Sequence, residues 1–396
     1  MTNAQQPSIQ HLLQTLCPDG VQQQTLENIL DYEQPSKYIV HDTNYDDSYT
    51  IPVLTAGQSF ILGYTNEEKA IYHASKENPV IIFDDFTTSF HWVDFNFKVK
   101  SSAIKILKPK TSDNFRYIYY AMQTIKFIPA EHTRHWISKY SHFPIPLPPL
   151  PIQERIVEIL DKFSRLSAEL EAELEAELEL RKKQYDFYRN RLLSFDSNSD
   201  TVQWMPLGEV FELRNGYTPS KSNPAFWEEG GTIPWYRMED IRQNGRILSD
   251  SMQHITPVAI KGKGLFEAGS FILATTATIG EHALLIADSL ANQRFTNLKI
   301  RKSLKDSLLT KFVFYYMFVV DDFCKKHTNK SGFESVDMEA LKNMPFPLPP
   351  LPEQERIVGI LDKFETLVSD LSQGLPAEIN LVQKQYEYYR NQLLTF

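Results

Sequence analysis

Apolar residues recur at helical spacing through the middle of the chain. From residue 152 to residue 178, isoleucine, leucine or phenylalanine returns mostly every three or four positions, and no glycine or proline occurs from 152 to 195. This spacing places the apolar side chains on one stripe of an α-helix. At about 1.5 Å of rise per residue the helix is roughly 65 Å long. An apolar stripe of that length needs a partner that covers it.

The chain supplies this partner, because it contains the same unit twice. Residues 143–163, FPIPLPPLPIQERIVEILDKF, match residues 344–364, MPFPLPPLPEQERIVGILDKF, at 17 of 21 positions with an offset of 201. Residues 180–195 match 381–396 at the same offset. Equal lengths let each helix face the equivalent positions of the other. We therefore predict two long helices that pair as an antiparallel coiled coil.

Each copy of the unit begins with a proline-rich run, PIPLPPLP in 144–151. Prolines lack an amide donor and hold the chain extended. The last proline of each run suits the first position of a helix, and Glu154 and Glu355 suit the first turn. A ligand for a proline-binding domain is the alternative interpretation. The adjoining helix start favours an extended connector.

Two globular segments, 21–143 and 202–344, precede the two proline runs; we call them the first head and the second head. Short runs rich in β-branched and aromatic residues alternate with turn residues. Strands are predicted at 49–54, 59–62, 79–83, 97–107, 271–275, 283–287 and 295–301, and helices at 9–16, 114–127 and 307–326. The residues 118–120 (IYY) and 314–316 (FYY) lie at nearly the same distance before the proline runs. The heads share such ends but little interior sequence.

The predicted fold class is α+β, with two mixed α/β domains separated by two long helices and an internal pseudo-twofold repeat. The predicted boundaries are an N-terminal segment (1–20), the first head (21–143), a proline run with the first long helix (144–195), a linker (196–201), the second head (202–344), and a proline run with the second long helix (345–396). The globular composition, with 42% hydrophobic and 12% aromatic residues, agrees.

Composition also indicates where in the cell the protein is expected to act. The longest charge-free apolar run, 312–320, is too short to span a membrane, and the start of the sequence lacks a signal-peptide pattern. Two cysteines are too few for a disulfide framework or a structural zinc site. We expect a cytoplasmic protein without a membrane partner.

The net charge of −9 is unevenly distributed. Most of the acidic excess lies in the two long helices, whereas the two heads are near neutral and rich in lysine, arginine and aromatic residues. Such heads can bind DNA if their basic residues lie on one face. The distribution also suggests that a partner supplies much of the attraction to phosphates.

The sequence lacks the motifs of several enzyme classes. It has no Asn/Asp-Pro-Pro-aromatic motif of base methylation, no glycine-rich nucleotide loop, and no HExxH or other metal-ligand cluster. The segments Asp84-Asp85 and Glu67-Glu68-Lys69 are interpreted as solvated turns rather than a nuclease carboxylate set. Three nearby histidines have basic and aromatic neighbours, which suits a loop that contacts phosphates or bases: His132, His135 and His142. An enzyme is therefore not predicted.

At this point the motifs resemble a known family, the specificity (S) subunits of type I restriction-modification systems. The resemblance rests on the globule–helix–globule–helix order and on the two PLPPLPxQERIVxILDKF units, and it covers essentially the whole chain. Residues 167–178, SAEL-EAEL-EAEL, resemble the tetrapeptide spacer repeat of the type IC subgroup. Segments 49–66 and 80–88 resemble a first target-recognition domain of that subgroup. Segments 231–235 and 275–280 resemble recognition-domain segments of the family.

The resemblance implies a non-catalytic subunit. Each target-recognition domain would read one half of a bipartite site in double-stranded DNA. The antiparallel helices would act as a spacer and would dock two modification (M) subunits, which bind S-adenosylmethionine and methylate an adenine in each half-site. Two restriction (R) subunits would complete an ATP- and Mg-dependent translocating endonuclease. No cofactor is expected on this chain.

Polar and basic residues on turns are the candidates for contacts with base edges in the major groove. In the first head they are Thr55, Gln58, Tyr64, Asn66, Thr87, Thr88, Arg134, His135 and Lys139. In the second head they are Tyr217, Lys221, Tyr236, Arg237, Thr276, Thr278, Gln293, Arg294 and Lys330. Each one alone also fits a phosphate contact or an ordinary loop residue.

The duplicated helices carry the candidates for docking the M subunits, because two copies of one partner need two equivalent patches. These candidates are Arg155, Tyr185, Arg356 and Tyr386. The two tyrosines equally fit the core of the coiled coil. Two other functional classes stay open at this point, a self-contained DNA methyltransferase or nuclease and a coiled-coil adaptor without DNA function.

Overall fold

The computed structural model describes residues 7–55, 60–129, 133–196, 201–227, 231–262, 264–329, 334–369 and 374–396. The chain divides into two compact units. Unit 1 comprises Met1–Glu173 and Ile379–Phe396, and unit 2 comprises Leu174–Glu378. Each unit therefore contains one head together with segments of the repeated helices. Among the residues that the structure describes, none of the helices combines the length and apolarity needed to cross a membrane.

In the residues that the structure describes, the first half of the chain runs from a short helix through nine strands to the long helix. The elements are α1 (Ile9–Leu16), β1 (Gln23–Thr25), α2 (Leu26–Ile29), β2 (Leu30–Glu33), β3 (Ile51–Leu54), β4 (Ile61–Thr65), β5 (Val80–Asp84), β6 (Phe90–Val93), β7 (Lys98–Val99), β8 (Ile104–Pro109), α3 (Phe115–Met122), β9 (Pro144–Pro146) and α4 (Leu150–Leu192).

The second half repeats this order with more strands. The elements are β10 (Gln203–Pro206), α5 (Leu207–Val210), β11 (Phe211–Asn215), β12 (Ile233–Tyr236), α6 (Met238–Asn244), β13 (Ile247–Leu248), β14 (His254–Ile255), β15 (Phe271–Ala274), β16 (His282–Leu285), β17 (Leu290–Ala291), β18 (Phe295–Ile300), α7 (Thr310–Lys326), β19 (Thr328–Asn329), β20 (Ser335–Val336), α8 (Met338–Asn343), β21 (Pro345–Leu348), α9 (Leu351–Ser369) and α10 (Leu375–Leu394).

The described residues of the head of unit 1 include two small sheets, with strand orders β2-β8-β5-β6 and β4-β3-β7. Its larger core joins the sheet to three helices. Ile81 and Phe83 of β5 pack in one cluster with Tyr117 of α3, Ile156 of α4 and Leu394 of α10. The hydrophobic core of the head therefore continues into the helix pair, which fixes the head on the helices by burial of apolar surface.

The head of unit 2 follows the same plan with a larger sheet. Its strand orders are β11-β18-β15-β16-β13 and β14-β12-β17. Phe271 of β15 packs in one cluster with Phe312 and Tyr316 of α7, Ile357 of α9 and Tyr185 of α4. The helix α7 (17 residues) is twice as long as its counterpart α3 (8 residues).

The proline runs are extended, as predicted, and each one pairs with the start of its own head. In unit 1, β9 pairs antiparallel with β1, and in unit 2, β21 pairs antiparallel with β10. Each pair is followed along the chain by equivalent short helices, α2 after β1 and α5 after β10. The run thus ties the beginning of a head to its end just before the long helix begins.

The first long helix is confirmed, but the second is not one helix in the described residues. The helix α4 has 43 residues. In the second copy α9 ends at Ser369 and α10 begins at Leu375, with Pro376 in its first turn. The sequence of this copy contains Gly374 and Pro376 where the first copy has its tetrapeptide repeats. Proline lacks the amide that a helix interior requires, which explains the new helix start.

The repeated helices pack antiparallel within each unit. In unit 1 the ring of Phe163 lies 6.0 Å from that of Tyr386 and 5.6 Å from that of Tyr389. In unit 2 the corresponding distances from Phe364 are 6.3 Å to Tyr185 and 5.5 Å to Tyr188. These contacts are related by the offset of 201 in both partners. The predicted fold class, with its antiparallel pairing and internal pseudo-twofold repeat, is confirmed.

Candidate nucleic-acid interface

The turn between β5 and β6 is held by two acidic residues. Asp84 Oδ1 accepts the backbone amides of Phe86 and Thr87 at 2.8 and 3.3 Å. Asp85 lies 3.2 Å from Lys105 Nζ and accepts the amide of Trp136 at 2.8 Å. Both carboxylates are buried, so the expectation of a solvated turn is wrong. They organise the turn, and a nuclease role gains no support from their geometry.

Asp85 also attaches the loop 133–142 to this turn. Its carbonyl oxygen accepts the amide of His135 at 2.8 Å. The exposed Arg134 and Lys139 therefore lie on the loop beside the turn that carries the exposed Thr87. Thr88 and the ring of His135 are instead buried in the head. One end of the sheet thus presents two cations and a hydroxyl to solvent.

The hairpin β3–β4 ends near the same turn. The amide of Thr55 donates to the carbonyl of Phe60 at 3.0 Å, and the ring of Phe60 stacks on His91 of β6 at 4.2 Å. Lys100 is exposed and its amide donates to the carbonyl of Leu54 at 2.8 Å. Lys100 and His91 were not singled out from sequence. Burial lowers the pKa of His91, so its ring is neutral at neutral pH.

Tyr64 and Asn66 lie at the opposite end of this hairpin, where Ile51 pairs with Thr65. Nearby, Glu67 is 2.8 Å from the buried Lys98. Burial alone would raise the pKa of Glu67, but hydrogen bonds from Lys98 and from two backbone amides lower it to about 2. Glu67 therefore stabilises a loop, and the structure separates Tyr64 and Asn66 from the end that carries Thr55.

Four loops of the second head converge at one place. Thr218 Oγ1 donates to Gln293 Oε1 at 2.6 Å, which joins the loop 216–221 to the loop 292–294. The amide of Asn292 donates to the carbonyl of Tyr236, and the amide of Thr275 to that of Arg294. At Gly216 a Cβ atom would lie 2.3 Å from the carbonyl oxygen of residue 291. Only glycine permits this close approach.

The predicted residues in these four loops differ in exposure. Lys221, Gln293 and Arg294 are exposed, and Arg237, Thr276, Thr278 and Tyr217 are half-buried. The hydroxyl of Tyr217 donates to a backbone carbonyl at 3.1 Å and accepts a backbone amide at 2.8 Å. The side chain of Tyr236 is fully buried. Two further candidates, Gln58 and Lys330, and also His132, lie outside the described residues.

The partner-binding candidates occupy two kinds of position. Tyr185 is buried between helices and donates to Glu365 at 2.8 Å, and Tyr386 accepts from Ser164 Oγ at 2.9 Å. This favours the packing alternative for both tyrosines. Arg155 is half-buried and pairs with Glu158, whereas Arg356 is exposed and pairs with Glu353 at 2.7 Å.

A buried glutamine connects the first head to its helix. Gln153, near the start of α4, is fully buried, and its Oε1 accepts the amide of Asn114 at 2.8 Å. Its Nε2 donates to the carbonyl of Pro148 and to Asp113 Oδ1, both at 2.8 Å. Asn114 is the N-cap of α3. The side chain therefore ties the proline run, the start of α4 and the start of α3 to one point.

The second head has the same connection. Gln354, near the start of α9, is fully buried and accepts the amide of Leu309, the N-cap of α7, at 2.8 Å. Its Nε2 donates to the carbonyls of Pro349 and Ser307, both at 2.8 Å. Gln153 and Gln354 are equivalent at the offset of 201. We call these connections the first joint and the second joint.

An aspartate forms the second part of each joint. Asp161 lies 2.9 Å from Arg116 Nε and accepts the hydroxyl of Tyr120 at 2.6 Å. Asp362 lies 2.9 Å from Lys311 Nζ and accepts the hydroxyl of Tyr315. Tyr120 therefore corresponds to Tyr315, an offset of 195. The predicted alignment of 118–120 with 314–316 is wrong by one residue.

The joints place two differing loop clusters on duplicated helices, and comparison with known proteins gives this arrangement a family. The sequence matches the type I restriction modification DNA specificity domain twice, over residues 18–180 and 199–381. The chain belongs to this family. It is 43% identical over 401 residues to the type I restriction enzyme EcoR124I/EcoR124II specificity subunit of Escherichia coli, with 96% of this chain and 95% of that protein covered.

A second relative agrees with the assignment to the specificity subunits, and a solved structure agrees with the fold. The EcoprrI specificity subunit of Escherichia coli is 51% identical over 202 residues, which is 49% of this chain and 50% of that protein. A chain of a solved structure described as "Structural basis underlying complex assembly and conformational transition of the type I R-M system" superposes with a TM-score of 0.59. It is 17% identical and covers 95% of this chain and 98% of that chain, so it shows the fold.

The chain is therefore a DNA-specificity subunit that acts within a multi-subunit restriction-modification complex, and it is not an enzyme by itself. This conclusion rests on the two matched specificity domains and on relatives named as specificity subunits. Neither of the alternative functional classes receives support. The assignment to the type IC subgroup stays a prediction from the tetrapeptide repeat.

Proposed function

We propose that each head of this specificity subunit reads one half of a bipartite site in double-stranded DNA. The observation that supports this proposal is the pairing of two equivalent joints with two different loop clusters. Equivalent joints attach each head to its helix in the same way, while differing loops present different side chains. The functional domains in this proposal are 21–143 and 202–344, with 144–195 and 345–396 as the spacer.

The proposed contacts come from the accessible candidates. In the first head the turn and loop around Asp85 carry Thr87, Arg134 and Lys139, and in the second head the four loops carry Lys221, Gln293 and Arg294. Cations in such positions contact phosphates or guanine edges, and amide side chains such as that of Gln293 suit adenine. The buried Thr88, His135 and Tyr236 are left out, because a base contact would require the core around them to open.

The proposed complex contains two M subunits and two R subunits. The M subunits would bind S-adenosylmethionine and methylate an adenine in each half-site, and the R subunits would bind ATP and Mg and cleave DNA, all in the cytoplasm. No cofactor is assigned to this chain. Two M subunits require two equivalent surfaces, and Arg155 and Arg356 are retained as candidates because the duplicated helices carry them at the offset of 201.

Methylation mapping tests the proposal. A host that expresses this chain with its M subunit should carry methylated adenines in one bipartite motif with one gap length. Arg134→Ala should relax only one half of the motif and Arg294→Ala only the other, each by about 1–3 kcal/mol if the arginine reads a base. Lys76→Ala, an exposed cation outside both loop clusters, is the control. A continuous motif, or loss of both halves from one substitution, would contradict the proposal.

A further inference from the structure

We infer that the residues of the two joints are specificity-determining positioning residues. The first joint comprises Asn114, Arg116, Tyr120, Gln153 and Asp161, and the second comprises Leu309, Lys311, Tyr315, Gln354 and Asp362. They fix the angle at which each head is held on its helix, and they thereby restrict the gap length that the subunit accepts. The inference rests on the proposed reading of a bipartite site.

The first step of the argument is the burial of the glutamines. Gln153 and Gln354 are fully buried, and each makes three hydrogen bonds at 2.8 Å. A rotation of the head about this point would break the bond to the N-cap amide of α3 or α7. A buried polar group without a partner is strongly disfavoured, so the glutamine allows one placement of the head helix.

The second step is the spacing between glutamine and aspartate. Asp161 follows Gln153 by eight residues, and Asp362 follows Gln354 by eight. Eight residues are slightly more than two helical turns, so both side chains lie on one face about 12 Å apart. One attachment point would leave a hinge. Two points on one helix face, bound to the first turns of the same head helix, define an orientation.

The third step is the contrast between the joints and the rest of the heads. The strands and loops of the two heads differ in number and order. In both joints, however, a glutamine accepts an N-cap amide, and an aspartate receives a cation and a tyrosine hydroxyl one turn further along the head helix. Burial of apolar surface already attaches each head to its helices. The polar contacts fix the orientation of the head on its helix, because hydrogen bonds are directional and apolar packing is not.

Orientation has a direct consequence for DNA recognition. Adjacent gap lengths differ by about 3.4 Å along the duplex and by about 35° of rotation, since about ten base pairs make one turn. A head that turned and shifted on its helix by such an angle and distance would meet the major groove at the neighbouring gap length. A fixed angle at each joint therefore excludes gap lengths that differ by one base pair.

The test uses the complex of the full chain with its M subunit. Asp161→Asn and Asp362→Asn keep the side-chain shape and weaken the bonds to the cation and the tyrosine, and Gln153→Leu removes the buried attachment. Lys162→Gln and Lys363→Gln are matched controls, because both lysines are exposed neighbours of the aspartates. Methylation is mapped at sites with the wild-type gap and with gaps one base pair longer or shorter.

The aspartate variants should assemble with M and keep both half-sequences. Methylation at the adjacent gaps, relative to the wild-type gap, should rise about tenfold, which corresponds to about 1.4 kcal/mol of lost discrimination. The controls should retain the wild-type ratio. A joint that only stabilised the head would lower the amount of assembled complex without changing this ratio.

The outcomes separate the inference from the proposed function. If the wild-type complex yields no bipartite motif, the proposed function fails. If it does, and the assembled Asp161→Asn and Asp362→Asn complexes keep the wild-type gap ratio, the joints do not determine the gap and the inference is overturned. Loss of methylation at every gap in an assembled complex also overturns it, because a loosened head still reaches the wild-type gap. If the Gln153→Leu variant does not assemble with M, its gap ratio cannot be measured. The aspartate variants alone then decide whether the joints determine the gap length.

Discussion

The two joints differ in what the head contributes and agree in what the helix contributes. From the helix side each joint uses a glutamine and an aspartate eight residues apart. Each glutamine bonds one carbonyl of its own proline run; from its head, Gln153 receives an amide and a carboxylate, Asp113, whereas Gln354 receives only backbone groups. A joint that uses backbone amides and carbonyls can form with many different head sequences, because these groups are present whatever the side chains are. The difference teaches how heads with unrelated interiors can be held by one helix design.

The cations of the two joints show the same division. Arg116 of the first joint lies over the ring of Trp92 at 4.6 Å, and Lys311 of the second lies over Phe314 at 5.5 Å. Both approach the same aspartate position of the repeat. The cation and the aromatic ring beneath it thus come from the head and differ between the joints, whereas the carboxylate comes from the helix and is the same in both. The two joints therefore hold the head helix through equivalent contacts, but the charged and aromatic groups around the aspartate differ.

The largest effect that separates the joints is expected from Gln153→Glu compared with Gln354→Glu. Each carboxylate loses the two hydrogen bonds that Nε2 donates, but only the glutamate at 153 also faces a second carboxylate, Asp113. We expect a loss of about 3–4 kcal/mol at 153 and about 2–3 kcal/mol at 354, because buried unpaired charge is costly. Thermal unfolding of each variant measures this. The controls are Glu154→Gln and Glu355→Gln, and equal losses at the two joints would contradict the expected inequality.

The heads can also be compared through their buried charges. The first head holds the loop after β4 with Lys98 and Glu67, and the second joins β16 to α7 with His282 Nδ1 and Asp321 Oδ2 at 2.7 Å. In the second head burial lowers the pKa of His282 although Asp321 opposes this. A buried histidine that stays neutral differs from an ion pair in its response to acid. Asp321 also lies 3.3 Å from Arg246, whereas Glu67 of the first head pairs with Lys98, a cation that a single substitution removes.

A smaller effect is expected from Lys98→Met, which leaves Glu67 without its cation. The stability loss should be about 2 kcal/mol at neutral pH, in the range of hydrogen bonds to charged groups. Because the folded pKa of Glu67 lies near 2, below its ordinary value of 4.5, this carboxylate contributes stability above pH 4.5 that is lost as the pH falls towards 2. The difference between wild type and variant should shrink over that window. Urea unfolding at several pH values measures it, with Lys100→Met as the exposed control, and a difference that is constant with pH would refute the assignment.

Sequence alone predicted the elements whose pattern is local. The helices α1 and α4 were predicted to within a few residues, because apolar spacing and the absence of glycine and proline are local properties. Gly374 and Pro376 also indicate a break in the second long helix. The close match between the two copies of the unit nevertheless favoured the prediction of one continuous helix. The predicted strand 97–107 forms two strands, since the chain turns between Val99 and Ile104.

The candidate site was predictable only in part, because burial depends on distant residues. Lys98 and Lys100 are two positions apart, yet Lys98 is buried against Glu67 and Lys100 is exposed. Similarly, nothing in the local sequence distinguishes the buried His135 from the exposed Arg134. The joints were missed although Gln153 and Asp161 stand in the repeated unit, because their partners come from heads whose equivalent residues follow a different offset.

The smallest change in stability, and a change in distance, is expected from the tetrapeptide repeat. Residues 167–178 of α4 hold three four-residue units, and the second copy has glycine and proline in the corresponding segment. Leu170 is exposed and Leu174 and Leu178 are half-buried, so removing one unit opens no core. Four residues advance a helix by about 6 Å and rotate it by about 40° beyond a full turn. The leucine spacing of four is preserved after such a deletion.

We therefore predict that deletion of residues 171–174 shortens the unread gap of the DNA site by about one base pair and leaves both half-sequences unchanged. A shift of 6 Å corresponds to between one and two base pairs of about 3.4 Å each, and we expect the paired helix to absorb part of it. Methylation mapping of the deletion strain, compared with wild type and with a Glu171→Ala/Glu173→Ala control of unchanged length, measures the gap. The deletion tests the effect of spacer-helix length separately from the effect of the joints, since it shortens α4 while both joints stay intact. An unchanged gap would mean that this part of α4 sets no distance, and altered half-sequences would mean that it acts on the heads themselves.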